Sequence, residues 1–197
     1  MFLFSSALFS FAFFSFALFS FAPSWFMQGM LHPLQTPSHI LLVLSLGLLI
    51  GQQLSQKRFL LSSVILFSFS VLVGLILNRT IRLDFDIELI LLGLGLLISL
   101  LVIIKLPLPS LLIAFLVIIS GIGLGLNSSP IVIPGLGSTS VYNWQIGAAC
   151  SFIAGVLPAA LIACFINNYW QGIILRVLAS WIATSAIFVL AFILIQP

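Results

Sequence analysis

An all-α polytopic membrane bundle of six transmembrane helices, preceded by a hydrophobic amino-terminal leader, is what this sequence predicts. Three observations carry that expectation. Of 197 residues, 62% are hydrophobic and only 5% are charged, with six Lys or Arg and three Asp or Glu, whereas a water-soluble domain carries roughly 25% charged residues. Mean hydropathy is +1.39, so too little charge is present to cover a soluble body. The apolar runs are dominated by Leu, Ile, Val, Ala and Gly without period-two alternation, which argues against a β-barrel.

Each span is set by polar punctuation around a run long enough to cross a hydrocarbon layer of roughly 30 Å. The first runs from Pro37 to Gln53 and closes on Gln56, Lys57 and Arg58. Phe59 to Leu77 forms the second, ending at Asn78, Arg79 and Thr80. Ile87 to Ile104 is the third, followed by Lys105, Pro107 and Pro109, which enforce a tight connection because proline disfavours helix in the residue before it. Ser110 to Leu126 is the fourth; a loop rich in Ser, Gly and Pro, Asn127 to Asn143, separates it from the fifth, Trp144 to Ile166. The sixth runs from Trp170 to Ile195. Trp144 and Trp170 would lie about 39 Å apart on a helix and are read as interfacial anchors.

Residues 1–26 are set apart as a Phe/Ser-rich leader, leaving 27–197 as a single six-helix domain. The leader holds ten of the nineteen phenylalanines and repeats Phe-Ser-Phe-Ala at residues 9–12, 14–17 and 19–22. Ser20-Phe21-Ala22 offers a small-residue cleavage pattern, but no basic region precedes it; a removed signal peptide and an uncleaved seventh span are both open. Lys57, Arg58, Lys105 and Arg176 fall on one side of the six-span arrangement and Arg79 and Arg82 on the other. The positive-inside bias therefore puts the former side in the cytoplasm of a cell (inner) membrane and the amino end of the core outside. Arg176 either snorkels to that interface or pairs with a carbonyl in the bundle.

The same arithmetic narrows function. Six scattered basic residues make no stripe that tracks a phosphate backbone, so nucleic acid is not an expected partner. No nucleophile–base pair or HExxH element appears, and an enzyme is not expected. No cofactor is implied. Cys150 and Cys164 would lie about 21 Å apart on one helix and are read as apolar packing residues. Gly121, Gly123 and Gly125, with Gly93 and Gly95, are read as allowing close helix packing; Pro158 is read as a kink in the fifth span.

His32 and His39 are the only histidines, and they flank Pro33 and Pro37 at the mouth of the first span. Thr36 reads as an N-cap and Pro37 as the first helical residue. On one unbroken helix the two rings would differ in height by about 10 Å, too far to share an ion. A break at Pro33 and Pro37 lets the preceding segment fold back, and such broken segments line substrate sites in transporters. Imidazole suits nickel, cobalt, copper and zinc; two hydrogen-bonded histidines without a ligand are the bland alternative.

His32, Pro33 and His39 resemble, in type and spacing, the signature of the HupE/UreJ family of nickel and cobalt permeases: His-Pro, then a glycine, then an Asp-His pair. Thr36 replaces the glycine and Ser38 the aspartate. Arg176 to Ala183 is similar to that family's last-helix pattern, and Asp86-Ile87-Glu88 opens the third span in a familiar way. The resemblance implies a membrane permease for nickel or cobalt. The family's later spans carry further histidines, whereas this chain has Ser120-Gly121-Ile122-Gly123-Leu124-Gly125-Leu126-Asn127 and Pro158 there, so those ligands are missing.

Topology brings Asp84, Asp86 and Glu88 to the face that bears the histidines. Glu88, deepest of the three, is the candidate to replace the absent aspartate; Asp86 is read as pairing with Arg82. The expected metal set is thus His32, His39 and Glu88, with a divalent cation as substrate, the bilayer as surroundings, and a cytoplasmic metallochaperone or a second copy of the chain as compatible partners. A non-transporting membrane subunit or assembly factor that kept the bundle is the rival reading.

Overall fold

The computed structural model describes residues 24–53, 57–80, 86–128, 138–168 and 172–195. Among these, seven helices and no strands occur: α1 (Trp25–Gln35), α2 (Pro37–Gln53), α3 (Lys57–Thr80), α4 (Ile87–Ile104), α5 (Ser110–Leu126), α6 (Ser138–Asn168) and α7 (Ile173–Ile195). The leader repeats, Arg82, Asp84 and Trp170 lie outside the described residues, and with them the expected Asp86–Arg82 pair.

Four helices, α3, α4, α6 and α7, are long and apolar enough to cross a membrane; α1 and α2 together would supply a fifth span, bent by 76°, and α5 is a shorter apolar helix. The expected limits of the first, third and fourth spans coincide with α2, α4 and α5. Two differences are plain. Helix α1 was not expected and crosses the boundary drawn at residue 26, since Trp25 and Phe26 already belong to it. Helix α6 begins at Ser138, so residues 138–143 are helix rather than loop.

Helix α2 occupies the centre. Leu42, Val43, Leu46, Leu49 and Ile50 are buried on several of its faces, together with Ser38, His39 and Ser45, as befits a helix that is apolar all round. It packs on α4 and α6, while α1 lies against α6, α3 against α5, and α7 against α4. On α3, Leu60, Val64, Phe67, Val71 and Leu75 are buried while Leu61, Ile65, Phe69, Leu72 and Ile76 are exposed. Both stripes recur at three- and four-residue spacing, so an apolar face looks outward as well as inward. Water would be a poor neighbour for that outer stripe and lipid a good one.

Small residues set the closest approaches. A side chain at Gly125 would meet Leu75 N of α3 at 2.7 Å, and one at Gly121 would meet the Ser70 Cβ at 2.7 Å. Gly93, in contrast, faces open space, so it is not the contact residue expected of it. Cys164 packs partly buried against the core, but Cys150 is exposed rather than packed, and both are free thiols. Helix α6 continues through Pro158.

The connection from α4 to α5 is tight for reasons visible in sequence. Lys105 takes the left-handed conformation (φ 57°), its N–H returns to Leu101 O, and Pro109 precedes α5. Gln53 staples the turn: its amide donates to Leu106 O and its Oε1 accepts from Leu108 N at 3.4 Å. At the same end Gln52 Nε2 donates to Val102 O (3.0 Å), Asn167 Nδ2 to Gln52 O (3.3 Å) and Arg176 Nε to Ile103 O (2.8 Å). Arg176 thus pairs with a carbonyl of the bundle while remaining exposed.

Candidate functional site

The opposite end of the bundle holds the histidines, and Thr36 explains how they meet. Proline at 37 disfavours helix at the preceding residue, and Thr36 is extended (φ −104°, ψ 109°), ending α1 and opening the 76° elbow before α2. The Thr36 carbonyl accepts from His39 N (3.1 Å) and Ile40 N (3.3 Å). Its hydroxyl does not cap α2 as expected but donates back to His32 O of α1 at 3.2 Å. Pro33 does not break the chain either. Helix α1 runs through it, forgoing the one amide bond that proline lacks.

The elbow brings the imidazoles of His32 and His39 to a centroid separation of 5.3 Å, edge to face at 76°. His39 is fully buried. Trp144 stacks obliquely on His32 at 4.9 Å and Phe152 meets His39 edge-on at 5.4 Å. Trp144 is therefore a buried wall of the site, 6% exposed, and not the interfacial anchor expected from its position. The approach of α1 to α6 that places it there depends on Gly29, whose missing side chain leaves room for the Trp144 backbone carbonyl.

Glu88 enters from the first turn of α4. Its Oε1 accepts a hydrogen bond from Ser38 Oγ at 3.2 Å, so the carboxylate is tied to the residue beside His39. Asp86 is exposed at the start of α4 with no side-chain capping bond. Asn127, which the sequence presents only as part of a sequon-like Asn-Ser-Ser, ends α5 and reaches the His39 ring. Its side-chain amide lies 3.1 Å from His39 Nε2. No spacing rule ties residue 127 to residue 39; only the packing of α5 beside the elbow does.

Two ring nitrogens remain without partners: His32 Nε2 and His39 Nδ1, both buried. An unsatisfied buried polar group costs about 1–3 kcal/mol, and here two such atoms occur on adjoining rings. Imidazole nitrogens with free lone pairs are ligands for divalent transition metals, so the donor set fits such an ion. Among the described residues no group of three or more His, Cys, Asp or Glu is placed to hold a metal ion, so the two histidines come together but Glu88 does not join them as a third ligand. The Ser120 hydroxyl on α5, in the stretch where the resemblance would put a histidine, is also buried and unpartnered.

The HupE / UreJ protein family model matches residues 6–190. This chain belongs to the HupE / UreJ family. Comparison with curated proteins and with solved structures gives no match. HupE/UreJ membership accords with the multi-pass apolar architecture.

Proposed function

We propose that this HupE/UreJ protein is a permease for a divalent transition metal, nickel or cobalt by family, in which His32 and His39 capture the ion and Glu88 supplies negative charge. The pair of buried, unpartnered ring nitrogens on His32 and His39 carries this reading. A dication leaving water needs compensation, and Glu88, hydrogen-bonded to Ser38 in the first turn of α2, is a carboxylate at the same end of the bundle. Counting the bent α1–α2 pair and α5 as crossings gives six spans. The positive-inside bias then faces the histidines outward, and Lys57, Arg58, Lys105 and Arg176 toward the cytoplasm.

The sequence contains no GxxxxGK[ST] element, so the drive is sought elsewhere. A potential of 100 mV supplies about 4.6 kcal/mol to a doubly charged ion moving inward. Metal retention by a cytoplasmic metallochaperone would add to it.

The rival reading, a non-transporting subunit, draws on one observation: the described residues include no third His, Cys, Asp or Glu completing a cluster. Uptake of nickel or cobalt by cells expressing the chain, compared with His32→Ala and His39→Ala, tests the choice. Uptake that falls to background in both variants supports the permease; equal uptake in all three supports the subunit.

A further inference from the structure

We propose that Asn127 is a positioning residue that decides which nitrogen of the His39 imidazole keeps its proton, leaving His39 Nδ1 as a metal-binding atom. The inference rests on the reading above, that a divalent transition metal is the substrate, and names an atom through which it is held.

A neutral imidazole carries one N–H and one lone pair, so whatever faces one nitrogen fixes the other. His32 Nε2 and His39 Nδ1 are both buried without a partner, so a group facing the other nitrogen of such a ring sets its tautomer.

For His39 that group is the Asn127 side chain. Its terminal amide, 3.1 Å from Nε2, offers a donor at one end and an acceptor at the other, exchanged by a half-turn about the last side-chain bond. With the nitrogen end inward, the ring proton sits on Nδ1, and that atom is closed to a cation. With the oxygen end inward, Nε2–H donates to Oδ1 and Nδ1 presents a lone pair. An arriving cation selects the second arrangement, and the ring proton moves between its own nitrogens rather than being released. Partners of this kind orient metal-ligating histidines generally.

Only two histidines are present, so 15N spectra of histidine-labelled protein in nanodiscs resolve each ring. With Zn2+ as a diamagnetic probe, His39 should show coordination through Nδ1, with its Nε2 protonated. Asn127→Asp, an obligate acceptor, should preserve the Nδ1 coordination. Asn127→Leu should weaken Zn2+ binding by roughly 10- to 100-fold and scramble the His39 pattern. Coordination of His39 through Nε2 in the unaltered protein, or an unchanged pattern and affinity in Asn127→Leu, would overturn the assignment. Absence of Zn2+ binding by the unaltered protein would instead sink the permease reading. The metal-free spectrum then decides the role of Asn127: a His39 tautomer ratio that shifts in Asn127→Leu supports it, and an unchanged ratio refutes it.

Discussion

Ser38 and Glu88, fifty positions apart in sequence, are joined by a hydrogen bond of 3.2 Å from Ser38 Oγ to Glu88 Oε1. The bond links the first turn of α2 to the first turn of α4 and ties a carboxylate to the residue that precedes His39. In the HupE/UreJ signature the position of Ser38 is an aspartate. On the proposed reading the charge comes instead from Glu88 on a neighbouring helix, held by the Ser38 hydroxyl.

Ser38→Ala should therefore act on metal affinity more than on folding. Loss of one hydrogen bond to a charged group costs about 1.5–3 kcal/mol at most, and Glu88 is only partly buried. The expected outcome is a Kd for Ni2+ raised roughly tenfold with an intact fold, read by titration calorimetry in detergent. Glu88→Gln should weaken binding at least as much. A Kd unmoved by either change would remove Glu88 from the site.

Trp144 gives an optical readout. Its ring lies 4.9 Å from that of His32, so a paramagnetic ion bound there should quench its fluorescence. Addition of Cu2+ or Ni2+ should lower the emission, and Trp144→Phe should abolish most of that change while keeping an aromatic wall. Trp144→Ala, which removes a buried aromatic, should destabilise the protein by about 3–5 kcal/mol.

Two glycines on different helices should respond in opposite senses. Gly125→Val places a branched side chain where even a Cβ comes within 2.7 Å of Leu75 N, and overpacking of this kind costs about 1–3 kcal/mol or more. Gly93→Ala enters open space within α4 and should stabilise by up to about 1 kcal/mol through helix propensity. Unfolding in mixed detergent micelles measures both.

Gln52 separates packing from transport. Its Nε2 bonds to Val102 O, but its Oε1 is buried without a donor, so Gln52→Leu loses one hydrogen bond and also removes an orphaned acceptor. These effects are of similar size, about 1 kcal/mol each, and near-neutral stability is expected. A large fall in midpoint would show that the Oε1 atom is satisfied in the membrane.

Much of the bundle was legible because apolar runs bounded by charge or proline define helices locally. Pro37, Gln53, Ile87, Ile104, Ser110 and Leu126 all stand where polar punctuation placed them. The elbow was legible for the same reason, since the restriction of Thr36 by Pro37 is a nearest-neighbour effect. The same punctuation missed α1, because Pro33 and the polar residues around it resemble a loop until Gly29 and Gly147 let α1 settle on α6. The roles of Trp144 and Asn127 were hidden for a different reason. Each touches a histidine through a contact between distant helices, and a single sequence shows no signal for that. Trp144 at a helix end reads as an anchor unless one knows that another helix lies over it.

The bend at Thr36 also governs the field met by an incoming ion. It sets the carboxyl end of α1, with its exposed carbonyl dipoles, against the amino end of α2, whose amides point the other way. The partial charges of about half an electron at such ends oppose one another. The carboxyl end of α5 at Asn127 and the amino end of α4 beside Glu88 repeat the opposition. Backbone polarity at this corner is thus nearly balanced, and an ionised side chain rather than the main chain decides which sign of solute finds the threshold attractive.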